Sequence, residues 1–330
     1  MSVPTLHPTP PDTAADGVVV IDHLTKTFGA VRAVDDLSFT VLPGRVTGFL
    51  GPNGAGKTTT LRILLGLVHP TAGRATIGGR AYVRFAKPTR TVGAALESAN
   101  FHPGRSAIDH LRVYAPQVGV SDARCHEVLA LVGLDTVAQR RAGNFSLGMR
   151  QRLALATTLL GDPRVLLLDE PANGLDPEGI AWLRALLRHL AAEGRTVLIS
   201  SHVLSEVEQT VDDVIIIARG RLVHASSLAD LAALAEPSVR IATPDAAGLV
   251  RLIAQAGWVD LVDPALSRPG TAVLRRLTAG EVGARAFAAG LELHELVPRD
   301  VGLEDIFLRL VGEDAGAPVT EPHLGAGVAR

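Results

Sequence analysis

Gly51-Pro52-Asn53-Gly54-Ala55-Gly56-Lys57-Thr58-Thr59 is a full match to the phosphate loop G-x-x-x-x-G-K-[ST]. Glycines let the backbone curl until successive N–H groups face a polyphosphate, and the helix that follows adds the positive end of its dipole. Lys57 can reach the outer phosphates, and the Thr58 hydroxyl can ligate Mg²⁺. The context agrees. Val46-Thr47-Gly48-Phe49-Leu50 reads as a short buried strand, and Leu61, Leu64, Leu65 and Val68 recur at helical spacing afterwards. A dinucleotide-binding turn would need glycine at position 59, where threonine stands. All nine residues, from Gly51 to Thr59, are therefore expected to hold a nucleoside triphosphate.

Further along, Val165-Leu166-Leu167-Leu168 is an apolar strand that ends in Asp169-Glu170. Alone, such a pair reads as a solvated strand end. Behind a phosphate loop, the first acid is placed to serve Mg²⁺ and the second to polarise the attacking water. Ile180, Leu183, Leu186, Leu187 and Leu190 mark one face of a helix that Gly194 caps. Thr196–Ser200 and Val214–Ile217 read as further buried strands, so the core is expected to be a largely parallel α/β sheet. Upstream, Val18–Ile21, Val31–Val34 and Leu37–Val41 are β-type runs, Pro43-Gly44 is a turn, and roughly 104–160 is rich in helix.

Bulk properties narrow the function classes. A chain of 330 residues with 47% hydrophobic content should hold two domains, or one large one with an appendage, and with 4% aromatics its core must be aliphatic. Lys and Arg number 32 against 34 Asp and Glu, without a dense basic block, which argues against nucleic acid as a partner. The single cysteine, Cys125, excludes an internal disulfide and a multi-cysteine zinc module. Residues 1–8 lack basic residues and an apolar h-region, so no secretory signal is expected. The longest apolar stretches are too short to span a bilayer. The expectation is a soluble cytoplasmic chain whose membrane role runs through a partner.

Residues 1–16 hold Pro4, Pro8, Pro10 and Pro11 and are expected to form a disordered tail. Composition breaks near Glu236-Pro237. The expected organisation is a nucleotide-binding domain over 17–235, a small α+β accessory domain over 236–315 and a flexible tail over 316–330.

Three more segments point to a family. Phe145-Ser146-Leu147-Gly148-Met149-Arg150-Gln151-Arg152 resembles the ABC-ATPase signature, usually written LSGGQ. Pro171-Ala172-Asn173-Gly174-Leu175-Asp176-Pro177 resembles the D-loop, and Ser200-Ser201-His202 the switch histidine. All stand in the family's order, over about residues 18–235. The chain thus resembles ABC transporter ATPase subunits. That resemblance implies an α/β P-loop NTPase of ABC type, with a mostly parallel core sheet, an antiparallel β subdomain and a helical subdomain.

Residue roles follow from the resemblance. Phe28, followed by Gly29, stands where the family stacks an aromatic on adenine. Thr58 and Asp169 would serve Mg²⁺, Glu170 would be the base for water, and His202 would contact the γ-phosphate. Ser146, Gly148, Met149 and Asp176 would complete the ATP site of a second copy. Ser146 also reads as the N-cap of the helix from Leu147. One set of motifs implies a head-to-tail homodimer that forms around nucleotide. The partners would be separately encoded transmembrane permease subunits, with the chain peripheral on the inner face of the cell membrane.

Departures are informative. Leu147 replaces a signature glycine and Met149 a glutamine. Glu97, aligned through Thr91-Val92-Gly93-Ala94-Ala95-Leu96, would occupy the Q-loop position, where a carboxylate can still ligate Mg²⁺; a solvated surface glutamate is the other reading. These features, and a C-terminal extension ending in Leu303-Glu304-Asp305-Ile306-Phe307-Leu308, resemble the daunorubicin- and bacitracin-type exporter branch. The extension reads equally as regulatory or as a passive appendage. The expected function is ATP hydrolysis that powers efflux of a drug, antibiotic or other hydrophobic compound. The alternatives are a soluble ABC ATPase and a nucleotide-gated drug-binding protein without transport.

Overall fold

A computed structural model describes residues 17–96, 101–204, 208–234, 237–264, 266–299 and 303–313. The tails expected over 1–16 and 316–330, and the Q-loop candidate Glu97, lie outside the described residues. The chain divides into two compact units. One holds the residues up to Leu228 and those from Arg309, and the other is Ala229–Leu308.

The first unit begins with β1 (Val19–Phe28) and β2 (Val31–Val41), which pair antiparallel, and β4 (Ala72–Ile77) joins the free side of β1. The sequence pattern splits β2 into two runs because Asp35 and Asp36 together oppose the single residue Thr25. That is a β-bulge, with Asp36 at φ +54° and its N–H donated to the Thr25 hydroxyl at 3.1 Å.

The second sheet of this unit runs in the order β5 (Val92–Ala95), β6 (Val165–Asp169), β7 (Thr196–Ser201), β3 (Val46–Leu50), β8 (Asp213–Ala218), β9 (Arg221–Ser227). Its first five strands are parallel, and β9 returns antiparallel beside β8. Every residue of β3 and β7 is buried, which is why these strands read as mostly apolar runs without alternation. The Phe39 ring of β2 meets Phe49 of β3 with centroids 5.2 Å apart, so the two sheets share one core.

Helix α1 (Lys57–Leu64) follows β3, and the single turn α2 (Pro88–Thr91) precedes β5. The helix-rich stretch resolves into α3 (Ala107–Val118), α4 (Asp122–Leu131) and α5 (Leu147–Leu159). Ser106 and Ser146 cap α3 and α5 by accepting from the N–H three residues on. Helix α6 (Pro177–Ala192) buries Leu183, Leu186, Leu187 and Leu190, the stripe read in the sequence.

The second unit is built on an antiparallel sheet in the order β11 (Thr271–Arg275), β10 (Ser238–Ala242), β12 (Glu295–Arg299). Its core joins Val239, Ile241 and Leu274 of the sheet to Leu249 and Leu252 of α7 (Ala246–Ala256) and Val282 and Ala286 of α8 (Ala279–Ala288). Thr278 and Glu281 close a reciprocal capping box on α8. A last helix, α9, covers Leu303–Glu313.

Candidate functional site

Parallel pairing brings together three segments far apart in sequence. Strand β7 lies between β3 and β6, with Leu50 registered on Ser201 and Asp169 on Ser200. The C-terminal ends of these strands therefore present the phosphate loop, the acid pair and the Ser-Ser-His segment side by side. Open α/β sheets collect their ligands at this edge.

Two loop glycines are required by space, and the second also by conformation. A Cβ at Gly51 would collide with the Ile217 carbonyl of β8. Gly56 sits at φ +102°, where a Cβ would meet the Ala33 carbonyl. The Lys57 side chain folds back over the loop, donating to the Gly51 carbonyl at 2.6 Å and the Pro52 carbonyl at 3.3 Å. Only 7% of it is exposed. Burial holds its ammonium below the ordinary lysine range, while Glu170 and Asp169 pull it back up.

The Thr58 hydroxyl donates to Asp169 Oδ2 at 2.6 Å, and the Ser200 hydroxyl donates to Asp169 Oδ1. Ser200 Oγ in turn accepts the Glu170 N–H at 3.0 Å. Glu170 is held at φ +51°, a left-handed conformation that costs a non-glycine residue about 1–2 kcal/mol. This turn swings its carboxylate between Lys57 Nζ, 3.8 Å away, and His202 Nδ1, 3.0 Å away. Ser200 is the residue that sequence reasoning passed over. Its place at the end of a wholly buried strand was visible, but its partners depend on strand register.

A cleft of about 440 Å³ opens over this group, lined by Phe28, Ala33, the loop residues Asn53 to Thr59 and Glu170. Phe28 is half exposed, and Lys26 Nζ lies 4.8 Å from its ring centroid. Ser146, Gly148, Met149 and Asp176 do not line this cleft. Ser146 accepts the Met149 N–H at 3.2 Å, and Asp176 caps α6 by accepting the Gly179 N–H at 2.8 Å. The α5 start and the D-loop segment pack on each other. Gln151 donates to the Pro171 carbonyl at 3.0 Å, and Leu147 occupies the space beside Gly174.

The donor set suits a hard divalent cation shared with phosphates. Thr58 and Asp169 offer hard oxygens, and among the described residues no cluster of three or more His, Cys, Asp or Glu side chains makes a self-sufficient metal site.

Fold and site together define a P-loop nucleotide-binding protein. The family model described as ABC transporter matches residues 34–173, and one described as a domain of unknown function matches 237–304. The bacitracin transport ATP-binding protein of Bacillus licheniformis is 36% identical over 302 residues, 89% of this chain and 97% of that one. The Nod factor export ATP-binding protein I of Paraburkholderia xenovorans is 34% identical over 315 residues, 91% and 98% of the two chains. A solved ATP-binding subunit of an ABC transporter superposes with TM-score 0.59 at 28% identity, over 65% of this chain and 91% of that one. The chain belongs to the ATP-binding subunits of ABC transporters, ATP hydrolases coupled to transport. Among the described residues no helix is long and apolar enough to cross a membrane.

Proposed function

We propose that the chain is the ATPase of an exporter that expels an antibiotic or other hydrophobic compound through separately encoded membrane subunits. Two of its full-length relatives are named for bacitracin transport and Nod factor export. Residues 17–235 form the nucleotide-binding domain in this reading, and 236–315 an accessory domain. The chain works from the inner face of the cell membrane.

The observation that carries the mechanism is the one-sidedness of the cleft. Phosphate loop, Glu170 and Phe28 meet there, while Ser146, Gly148, Met149 and Asp176 stand on a different pair of elements. A second copy, head to tail, supplies those four residues to the exposed side of the nucleotide. Phe28 stacks on adenine, the loop amides and Lys57 hold the phosphates, and Thr58 and Asp169 hold Mg²⁺, which neutralises phosphate charge when bound. Glu170 accepts the proton of the attacking water, and His202, bonded to Glu170, contacts the γ-phosphate. Glu97 is assigned the remaining metal position on alignment alone.

Inverted membrane vesicles that contain the chain and its permease should accumulate the exported compound when ATP is added. Vesicles with Glu170→Gln should not. Equal accumulation by both would refute the coupling, and ATP hydrolysis without any membrane partner in pull-downs would favour a soluble ATPase.

A further inference from the structure

The apolar face of helix α7 is wider than its core contact. Leu249 and Leu252 are buried in the core of the second unit, with Ile253 packed against it. Leu249 and Ile253 also belong, with Ala246, Val250 and Ala254, to the wall of a cavity of about 530 Å³, so the face runs on from the core into the cavity. Val250 is 67% exposed there. Val259 and Val262 continue the apolar lining, and the turn from Ser267 to Ala272 closes the far side.

That far wall is fixed before any ligand arrives. Arg268 and Thr271 exchange two backbone hydrogen bonds of 2.8 Å around Pro269-Gly270, with Gly270 at φ +78°. The Gly270 carbonyl also accepts the Thr243 N–H at 2.8 Å, which pins the turn to the end of β10. The Ser267 hydroxyl is occupied, donating to the Asp263 carbonyl and accepting the Val273 N–H.

Charge pairing sets one arginine of this unit apart from three others. Arg240, Arg251 and Arg275 are paired with Glu295, Asp245 and Asp263. Arg268 is exposed and lines the cavity, and its guanidinium has no hydrogen-bond or ion-pair partner among the described residues. A preformed apolar cavity within the size range of small-molecule sites, with an exposed and unpaired arginine among its lining residues, is complementary to an apolar body bearing a single acid group.

We propose that this cavity is a binding site for a small amphipathic acid, seated with its hydrocarbon against Val250, Ile253 and Val259 and its carboxylate on Arg268. The site is separate from the nucleotide cleft and does not depend on the function proposed above.

The chain has two tryptophans, and Trp258 immediately precedes the cavity residue Val259. In the full chain with Trp182→Phe, decanoate added below its micelle threshold should change Trp258 emission saturably. Decanol should bind about tenfold more weakly, the worth of one charge-assisted hydrogen bond, and decyltrimethylammonium more weakly still. Arg268→Gln should bring decanoate down to the level of decanol, and Val250→Glu should abolish both. Should Val250→Glu fail to fold by circular dichroism, Val259→Gln elsewhere in the apolar lining must give the same loss. No saturable response, tightest binding by the cation, or full binding by both wall variants would overturn the proposal. So would a Val250→Glu chain that changes its oligomeric state while the parent ignores decanoate, because the apolar face would then be a contact between copies.

Discussion

Thr58 Oγ1 and Asp169 Oδ2, 111 residues apart in sequence, are joined by a 2.6 Å hydrogen bond. The two groups assigned to Mg²⁺ are thus bonded to each other, and Ser200 holds the remaining Asp169 oxygen. Mg²⁺, when bound, would be held by these two residues in place of their mutual bond, by Asp169 directly or through water, and would neutralise phosphate charge. Thr58→Val keeps the shape of the side chain but removes the hydroxyl. It should lower Mg²⁺-dependent ATP hydrolysis about 100-fold, the size of a lost charge-stabilising contact, and leave metal-free nucleotide binding within about threefold. Steady-state turnover beside fluorescent-nucleotide titration in EDTA checks this. Equal losses in both would make Thr58 a structural cap of the loop.

Glu170 occupies a strained backbone position between a buried lysine and the switch histidine. Glu170→Gln preserves its volume and removes its basicity, so turnover should fall about 100- to 1000-fold while ATP still binds. Unhydrolysed ATP should then hold two chains together, visible by light scattering as a dimer that the parent chain forms only transiently. Unchanged turnover would remove Glu170 from the role of base. A nucleotide-loaded variant that stays monomeric, alone and with its permease, would refute the shared site.

The sequence was most legible where chemistry and local structure coincide. The phosphate loop had to lie between a buried strand and a helix, and it does so in β3 and α1. Short apolar runs announced β6, β7 and β8 for the same reason, since strands covered on both faces show little polar alternation, even though β7 also buries Thr196, Ser200 and Ser201. What stayed hidden depends on register. The Asp35-Asp36 bulge made one strand look like two, and the bond from Ser200 to Asp169 exists only because β6 and β7 pair in one alignment. Arg268 was equally silent, being one arginine among many until its neighbours in space were known.

Acid sensitivity should be centred on His110. Its ring is 4% exposed on α3, lies edge-on to Phe101 and Tyr114, and its Nδ1 has no hydrogen-bond partner among the described residues. Burial, with Arg105 adding to it, pushes its pKa down from 6.5 to about 4. The folded state therefore keeps His110 neutral where the unfolded chain already binds a proton. The sign follows from linkage: its contribution to stability is complete above pH 6.5 and is lost as pH falls from there to about 4, at most about 3 kcal/mol in all. Urea unfolding at pH 7.5, 5.5 and 4.5 should show His110→Phe losing less stability over this range than the parent. Parallel pH slopes for the two chains would place the sensitivity elsewhere.

Leu147, which stands in the signature segment where the family has glycine, fills the space beside Gly174 of the D-loop segment. Gly174 lies at φ +76°, so Gly174→Ala meets two obstacles: a left-handed backbone and a Cβ driven into the Leu147 side chain. The first costs about 1 kcal/mol in any background. The second should vanish in Leu147→Gly, because the obstructing side chain is gone. A double-mutant cycle should therefore show Gly174→Ala less damaging to stability in Leu147→Gly than in the parent, by about 1 kcal/mol. The functional readout should split as well. Leu147 is half exposed at the start of α5, on the surface proposed to meet the second copy, so its displacement by Gly174→Ala should lower turnover. The affinity of a single chain for nucleotide, set in the separate cleft under Phe28 and Lys57, should stay unchanged. Strict additivity in the cycle would mean that Leu147 swings aside without cost and that the two segments are not coupled.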